Sequence, residues 1–136
     1  MNYWILKSEP DVYSYDDLVK QKIGTWDGVR NYTARNNLKS MKVGDLAFFY
    51  HSNIGKEIVG IIKIVEEAFT DTTAGDDDRW VAVRVSPVEK LKKTVTLKDP
   101  KADPNMKDIE LVRLSRLSVM SITKDDFDYI LKLAKA

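Results

Sequence analysis

The chain alternates short apolar runs with polar punctuation, and the spacing inside each run predicts its element. Tyr3 to Lys7 reads as a strand with Trp4 and Leu6 on one face. Ser8, Glu9 and Pro10 end it, because proline cannot continue a ladder and restricts the residue before it. Ser14 or Tyr15 opens a short helix with Asp16 and Asp17 in its first turn, where the helix dipole favours acids. The stretch Thr25 to Leu38 begins as a loop around Trp26, Asp27 and Gly28, then becomes a helix with Asn31 as its N-cap. Ala34, Leu38 and Met41 recur at helical spacing and point to the core. Tyr32 and Arg35 edge that face and are expected to border a cleft.

Leu46 to Tyr50 and Lys56 to Glu67 read as strands joined by the polar turn His51-Ser52-Asn53-Ile54-Gly55, so an antiparallel hairpin is the simplest pairing. Gly60 interrupts the second strand and marks a bulge or a sharp bend. Ala68 to Asp78 reads as a loop, with Asp76, Asp77 and Asp78 as solvated surface, since they lack the alternate spacing of a calcium loop. Trp80 to Val88 alternates as a strand, a polar stretch runs through Lys93, and Thr94 to Leu97 forms a separate short strand. Asn105 to Leu111 is read as one or two helical turns, and Ser118 to Ile122 as a last strand. Thr123 and Asp126 cap a final helix whose inward stripe is Phe127, Ile130, Leu131 and Ala134. The sum is a single α+β domain over residues 1–136, a curved, mostly antiparallel mixed sheet flanked by short helices.

Composition narrows the function classes. With 136 residues, 43% hydrophobic and 32% charged, the chain can bury a core without staples. The formal net charge is only +1, so nucleic-acid binding would need a local patch. Arg30, Arg35, Lys39 and Lys42 concentrate positive charge around one helix; on one surface they could hold phosphates, and otherwise they are a solvated face. The apolar run near Met1 is too short for a secretory signal and no later run reaches membrane-spanning length, so a cytoplasmic, membrane-free setting is expected.

There is no cysteine and one histidine, which rules out thiolate chemistry and multi-histidine zinc sites. No phosphate-binding loop or dinucleotide fingerprint occurs. Glu9, Asp27 or His51 could serve acid–base chemistry, but no constellation supports catalysis, and neither a cofactor nor a metal is expected. Trp26, Tyr32, Asp27, Arg30, Arg35 and neighbouring amides instead suit a pocket for a planar, hydrogen-bonding ligand on an anionic backbone, such as a nucleotide. The competing reading is that Trp26 merely lids the core while Arg30 and Arg35 pair with carboxylates.

Several runs together resemble the EVE domain family: Tyr3-Trp4-Ile5-Leu6-Lys7-Ser8-Glu9-Pro10, Trp26-Asp27-Gly28-Val29-Arg30-Asn31-Tyr32 with Ala34-Arg35-Asn36, Met41-Lys42-Val43-Gly44-Asp45, Phe49-Tyr50-His51-Ser52-Asn53 and Leu114-Ser115-Arg116-Leu117-Ser118-Val119-Met120. The resemblance implies a PUA-like fold, related to YTH and ASCH domains, that binds DNA or RNA carrying a modified base, with a modified cytosine foremost. Such readers hold an unstacked base in an aromatic pocket. Carried onto matching positions, the pocket candidates are Ser8, Glu9, Trp26, Asp27, Val29, Asn31, Tyr32, Tyr50, His51, Ser52, Leu117 and Ser118. Arg30, Arg35 and Arg116 would contact phosphates or base edges. Trp26 with Tyr32 or Tyr50 would stack on the base; Glu9, Asp27 and Asn31 would read its edge; Val29 or Leu117 would sense a methyl group. A monomer is expected. Two other readings stay open: a small nucleotide- or RNA-processing enzyme, and a peptide-binding interaction domain using the same cleft.

Overall fold

The computed structural model describes residues 1–9, 11, 13–52, 57–96 and 117–135. In chain order the elements are β1 (Tyr3–Ser8), α1 (Tyr15–Gln21), β2 (Gly24–Trp26), α2 (Tyr32–Ser40), β3 (Leu46–His51), β4 (Glu57–Thr70), a 3₁₀ turn (Thr72–Ala74), β5 (Val81–Thr96), β6 (Val119–Ile122) and α3 (Lys124–Lys135). The six strands form one open sheet in the order β2-β5-β4-β3-β1-β6. Only the β1–β3 pair among them is parallel. This is the expected curved, mostly antiparallel mixed sheet.

Both faces of the sheet are covered, so Trp4, Ile5 and Leu6 are all buried rather than alternating with solvent. On one face Phe127 of α3 stacks on Phe48 at 4.4 Å and touches Tyr3 at 4.6 Å. On the other, Phe49 meets Tyr15, Trp26 and His51 edge-on, at 5.5, 5.2 and 5.5 Å between centroids. The β1–β3 register pairs Leu6 with Phe49, Lys7 with Tyr50 and Ser8 with His51. Alternation therefore puts Ser8 and His51 on the Phe49 face and Lys7 and Tyr50 on the opposite one.

Helix starts follow their local chemistry. Ser14 caps α1 in a reciprocal box with Asp17, and the Asn31 side chain accepts from the Ala34 N–H at 3.0 Å to cap α2. Ala34, Leu38 and Met41 are fully buried as their spacing requires. The Thr123 hydroxyl accepts from the Asp126 N–H, and Phe127, Ile130 and Ala134 are buried with Leu131 beside them.

Four expectations need correction. Trp26 is not in a loop: Gly24–Trp26 is a short edge strand paired with Val83–Val85 of β5. β4 runs on to Thr70, with Phe69 and Thr70 paired to Ala82 and Val81 of β5 instead of looping away. The polar stretch after Val88 does not break β5, which is one strand to Thr96. Its pairing with β4 jumps from Gly60–Lys90 to Ile58–Val95, so the extra polar residues are an excursion within a strand. Asp77 is no free surface acid, since it binds Arg79 and the Trp80 indole. The hairpin turn at Asn53–Gly55, the turns at Asn105 to Leu111, and Leu97 lie outside the described residues.

The expected bend at Gly60 is present, and packing explains it. Register shifts flank Val59 on both sides of β4, and a β-carbon on Gly60 would run into the Tyr15 ring. Tyr15 crosses there to donate to the Ile61 carbonyl at 2.9 Å, and burial, helped by the nearby Glu89 charge, pushes its titration up to about 12. Gly60→Ala should therefore cost roughly 1–3 kcal/mol by forcing Tyr15 off its site. Denaturant unfolding would measure this, and an unchanged midpoint would show that Tyr15 does not need the space.

Candidate nucleic-acid interface

The end of β1 and the edge strand β2 frame an open pocket of about 350 Å³, lined by Lys7, Ser8, Tyr13, Thr25, Trp26 and Asp27. That volume lies at the small end of ligand sites. Its aromatic wall is Trp26 against Tyr13, edge-on at 6.2 Å, and both rings rest on Phe49. The Ser8 hydroxyl donates to the Tyr13 carbonyl at 2.7 Å, pinning the segment between β1 and α1, and its oxygen keeps acceptor capacity. The Tyr13 hydroxyl donates to Gln21 at 2.6 Å, and burial together with the nearby Asp17 charge raises its pKa, so it stays a neutral phenol. Lys7 borders the pocket at the strand end, with its ammonium 5.7 Å from the Tyr50 ring on the opposite face and its pKa lowered by burial.

Asp27 is exposed at the pocket's edge, and the loop that carries it is held from a distant part of the chain. Asp71 is buried at 1% exposure. One of its oxygens accepts from the Gly28 N–H at 2.9 Å and from Arg30 at 3.0 Å; the other accepts from the Thr73 N–H at 2.8 Å and the Thr73 hydroxyl at 2.5 Å. Gly28 has φ +77°, a backbone state that costs glycine little. Burial alone would raise the Asp71 pKa; the hydrogen bonds outweigh it and hold the carboxyl down to about 2.

Of the sequence candidates, Ser8, Trp26 and Asp27 come together at this pocket. Trp26 is 7% exposed, so it both closes the core and offers an edge to the cavity. Glu9 is exposed just beyond β1, and its carbonyl accepts from the Tyr13 N–H. His51 and Ser52 lie beside Ser8, the Ser52 N–H donating to the Ser8 carbonyl. His51 Nε2 accepts from the Tyr15 N–H at 3.1 Å, which places the ring proton on Nδ1, and burial lowers its pKa. Its acceptor nitrogen is thus occupied by the start of α1 rather than aimed at a serine.

Other candidates lie elsewhere. Tyr50, at 2% exposure, sits on the face away from Trp26, where burial raises its pKa to about 12. Val29 and Leu117 are buried and do not line the cavity, and Asn31 is spent on its cap. The Ser118 carbonyl takes the Lys7 N–H. Tyr32 packs on Trp80 at 5.2 Å, not on Trp26. In the basic group Arg30 pairs with Asp71 and Lys42 lies 4.0 Å from Glu67, while Arg35 and Lys39 face no carboxylate at ion-pair distance among the described residues. Arg116 lies outside the described residues. Sequence reading missed Lys7, Tyr13, Thr25 and Asp71; for Tyr13 the available signal was an aromatic placed directly before a helix cap.

Asp71→Asn should cost roughly 1–3 kcal/mol, because an amide offers one acceptor oxygen where the carboxylate serves four donors. A folded pKa near 2 against an ordinary 3.8 means the carboxylate stabilises fully above about pH 4 and progressively less as pH falls toward 2. The wild-type minus variant stability difference, measured by denaturant melts across that range, should shrink on acidification. A difference that stays flat would contradict the assigned role.

The EVE domain profile matches residues 2–133. Mouse thymocyte nuclear protein 1 is 39% identical over 97% of this chain and 73% of its own length. The crystal structure of human THYN1 protein in complex with 5-methylcytosine-containing DNA is 34% identical, with a TM-score of 0.93 over 100% of this chain and 99% of that one. A YTH domain, from Zygosaccharomyces rouxii MRB1 in complex with N6-methyladenosine RNA, shares the fold at 18% identity, with a TM-score of 0.58 over 98% of this chain and 86% of that one. By profile, sequence identity and backbone geometry, this chain belongs to the EVE domain family.

Proposed function

We propose that the chain is a non-enzymatic reader of a modified base in nucleic acid, with 5-methylcytosine in DNA as the first mark to test. The observation that carries the reading is the Trp26–Tyr13 pocket, with one carboxylate at its edge, in a chain that superposes on a relative described in complex with 5-methylcytosine-containing DNA. A base taken out of its stack would lie against Trp26 and Tyr13, each contact contributing roughly 1–3 kcal/mol. Asp27 accepts from an exocyclic amine such as that of cytosine, and the Ser8 oxygen supplies a second acceptor. Arg35 and Lys39, which face no carboxylate at ion-pair distance among the described residues, hold the phosphates.

Binding without turnover fits the occupied His51: its one acceptor nitrogen is committed to the Tyr15 N–H, so it cannot take a proton from the Ser8 hydroxyl without breaking the start of α1. The test is equilibrium titration at moderate salt with matched single strands carrying cytosine, 5-methylcytosine, 5-hydroxymethylcytosine or N6-methyladenine. One modified strand should bind most tightly, and Trp26→Ala, verified as folded, should weaken it by roughly tenfold or more. Equal affinity for all four strands, or full affinity in the folded variant, would overturn the reading.

A further inference from the structure

On the segment that leads from the pocket into α2 stands a second aromatic group that the base-reading role does not use. Tyr32, at the first position of α2, is 53% exposed, yet its ring is held from three directions. It packs on Trp80, itself 9% exposed, at 5.2 Å and 32°. Its hydroxyl takes the Arg79 Nη1 at 3.0 Å, and the Arg35 guanidinium lies 5.0 Å from its centroid. Each support is itself braced: Arg79 and the Trp80 indole N–H both bind Asp77, and Arg35 donates twice to Asn36. An exposed aromatic fixed this firmly has lost the freedom that a surface side chain normally gives up on binding, so it is pre-organised for a stacking partner.

The charge pattern selects the partner. Arg79 is matched by Asp77, while Arg35 and Lys39, one helical turn apart on α2, have no carboxylate at ion-pair distance among the described residues. Planar stacking surface plus unpaired cations is the recognition chemistry of a single-stranded nucleotide. Position agrees: Tyr32 lies five positions after Asp27 at the pocket, at most roughly 17 Å away at full extension, within the span of a short strand.

We propose that Tyr32, backed by Trp80, is a second stacking site that takes the base of a nucleotide flanking the one in the Trp26 pocket, while Arg35 and Lys39 hold the intervening phosphates. The inference rests on the reader function in that it uses the same strand. It assigns Tyr32 to strand length rather than to recognition of the mark.

The test uses 5-methyl-2′-deoxycytidine and a single-stranded pentanucleotide with 5-methylcytosine at its centre, titrated against the full chain and its variants. Tyr32→Ala should weaken the pentanucleotide by roughly tenfold and leave nucleoside affinity unchanged, whereas Tyr32→Phe, which keeps the ring, should bind like wild type. Pentanucleotide affinity unchanged in Tyr32→Ala overturns the second site. Loss of nucleoside binding in the same variant also overturns it, since Tyr32 would then belong to the pocket. If Trp26→Ala binds the pentanucleotide normally while Tyr32→Ala does not, the pocket reading falls and the stacking site stands. No binding of the pentanucleotide by the wild type overturns both.

Discussion

The candidate site depends on the packing of Phe49. This ring is fully buried on β3 and receives Tyr15, Trp26 and His51 edge-on, with Tyr13 tilted against it. Edge-to-face pairs contribute roughly 0.5–1.5 kcal/mol each beyond the area they bury, and here three of them converge on one residue. Phe49 ties β3 to three elements from much earlier in the chain: the segment before α1, α1 itself and the edge strand β2. The pocket walls Tyr13 and Trp26 are both leaves of this cluster, so their separation is set by core packing rather than by loop preference.

A second layer of constraint is polar and equally non-local. Asp71 fastens the loop that carries Asp27, and Asp77 braces the residues beneath Tyr32. Buried carboxylates are costly unless every oxygen is used, and Asp71 meets that condition with four donors. The 3₁₀ segment between β4 and β5 thus sets the pose of the Trp26 to Tyr32 run from outside it.

Local signals carried most of the fold. Asn31 and Thr123 were legible as caps because capping is a contact within three residues, Ser14 only as one of two residues that could open α1, and Ala34, Leu38 and Met41 were legible as core because helical spacing is strict. Gly60 was legible as a bend, although its cause, the Tyr15 ring, lies 45 residues away and leaves no local trace. Trp26 was misplaced because a three-residue edge strand has too few positions to show alternation, and β5 was split because Lys90 to Lys93 are polar where the strand departs from its partner. Within the site, the resemblance pointed to Ser8, Trp26 and Asp27, which share the pocket, and also to Tyr50 and Tyr32, which do not. Residue type signals aromatic character, but the face on which a ring emerges depends on strand register, and Tyr32 finds Trp80 only through tertiary contact.

The most direct test of the account follows the three tryptophans separately. Trp4 donates its indole N–H to Asp45 in the core, Trp80 donates to Asp77 beneath Tyr32, and Trp26 walls the pocket. Their indole N–H signals in a two-dimensional NMR spectrum, assigned by single Trp→Phe variants, can be titrated with a single strand carrying 5-methylcytosine. Trp26 should shift most at every point, Trp80 less, and Trp4 should stay in place. A titration that moves Trp4 as much as Trp26, or binds the strand while leaving Trp26 unmoved, would contradict it.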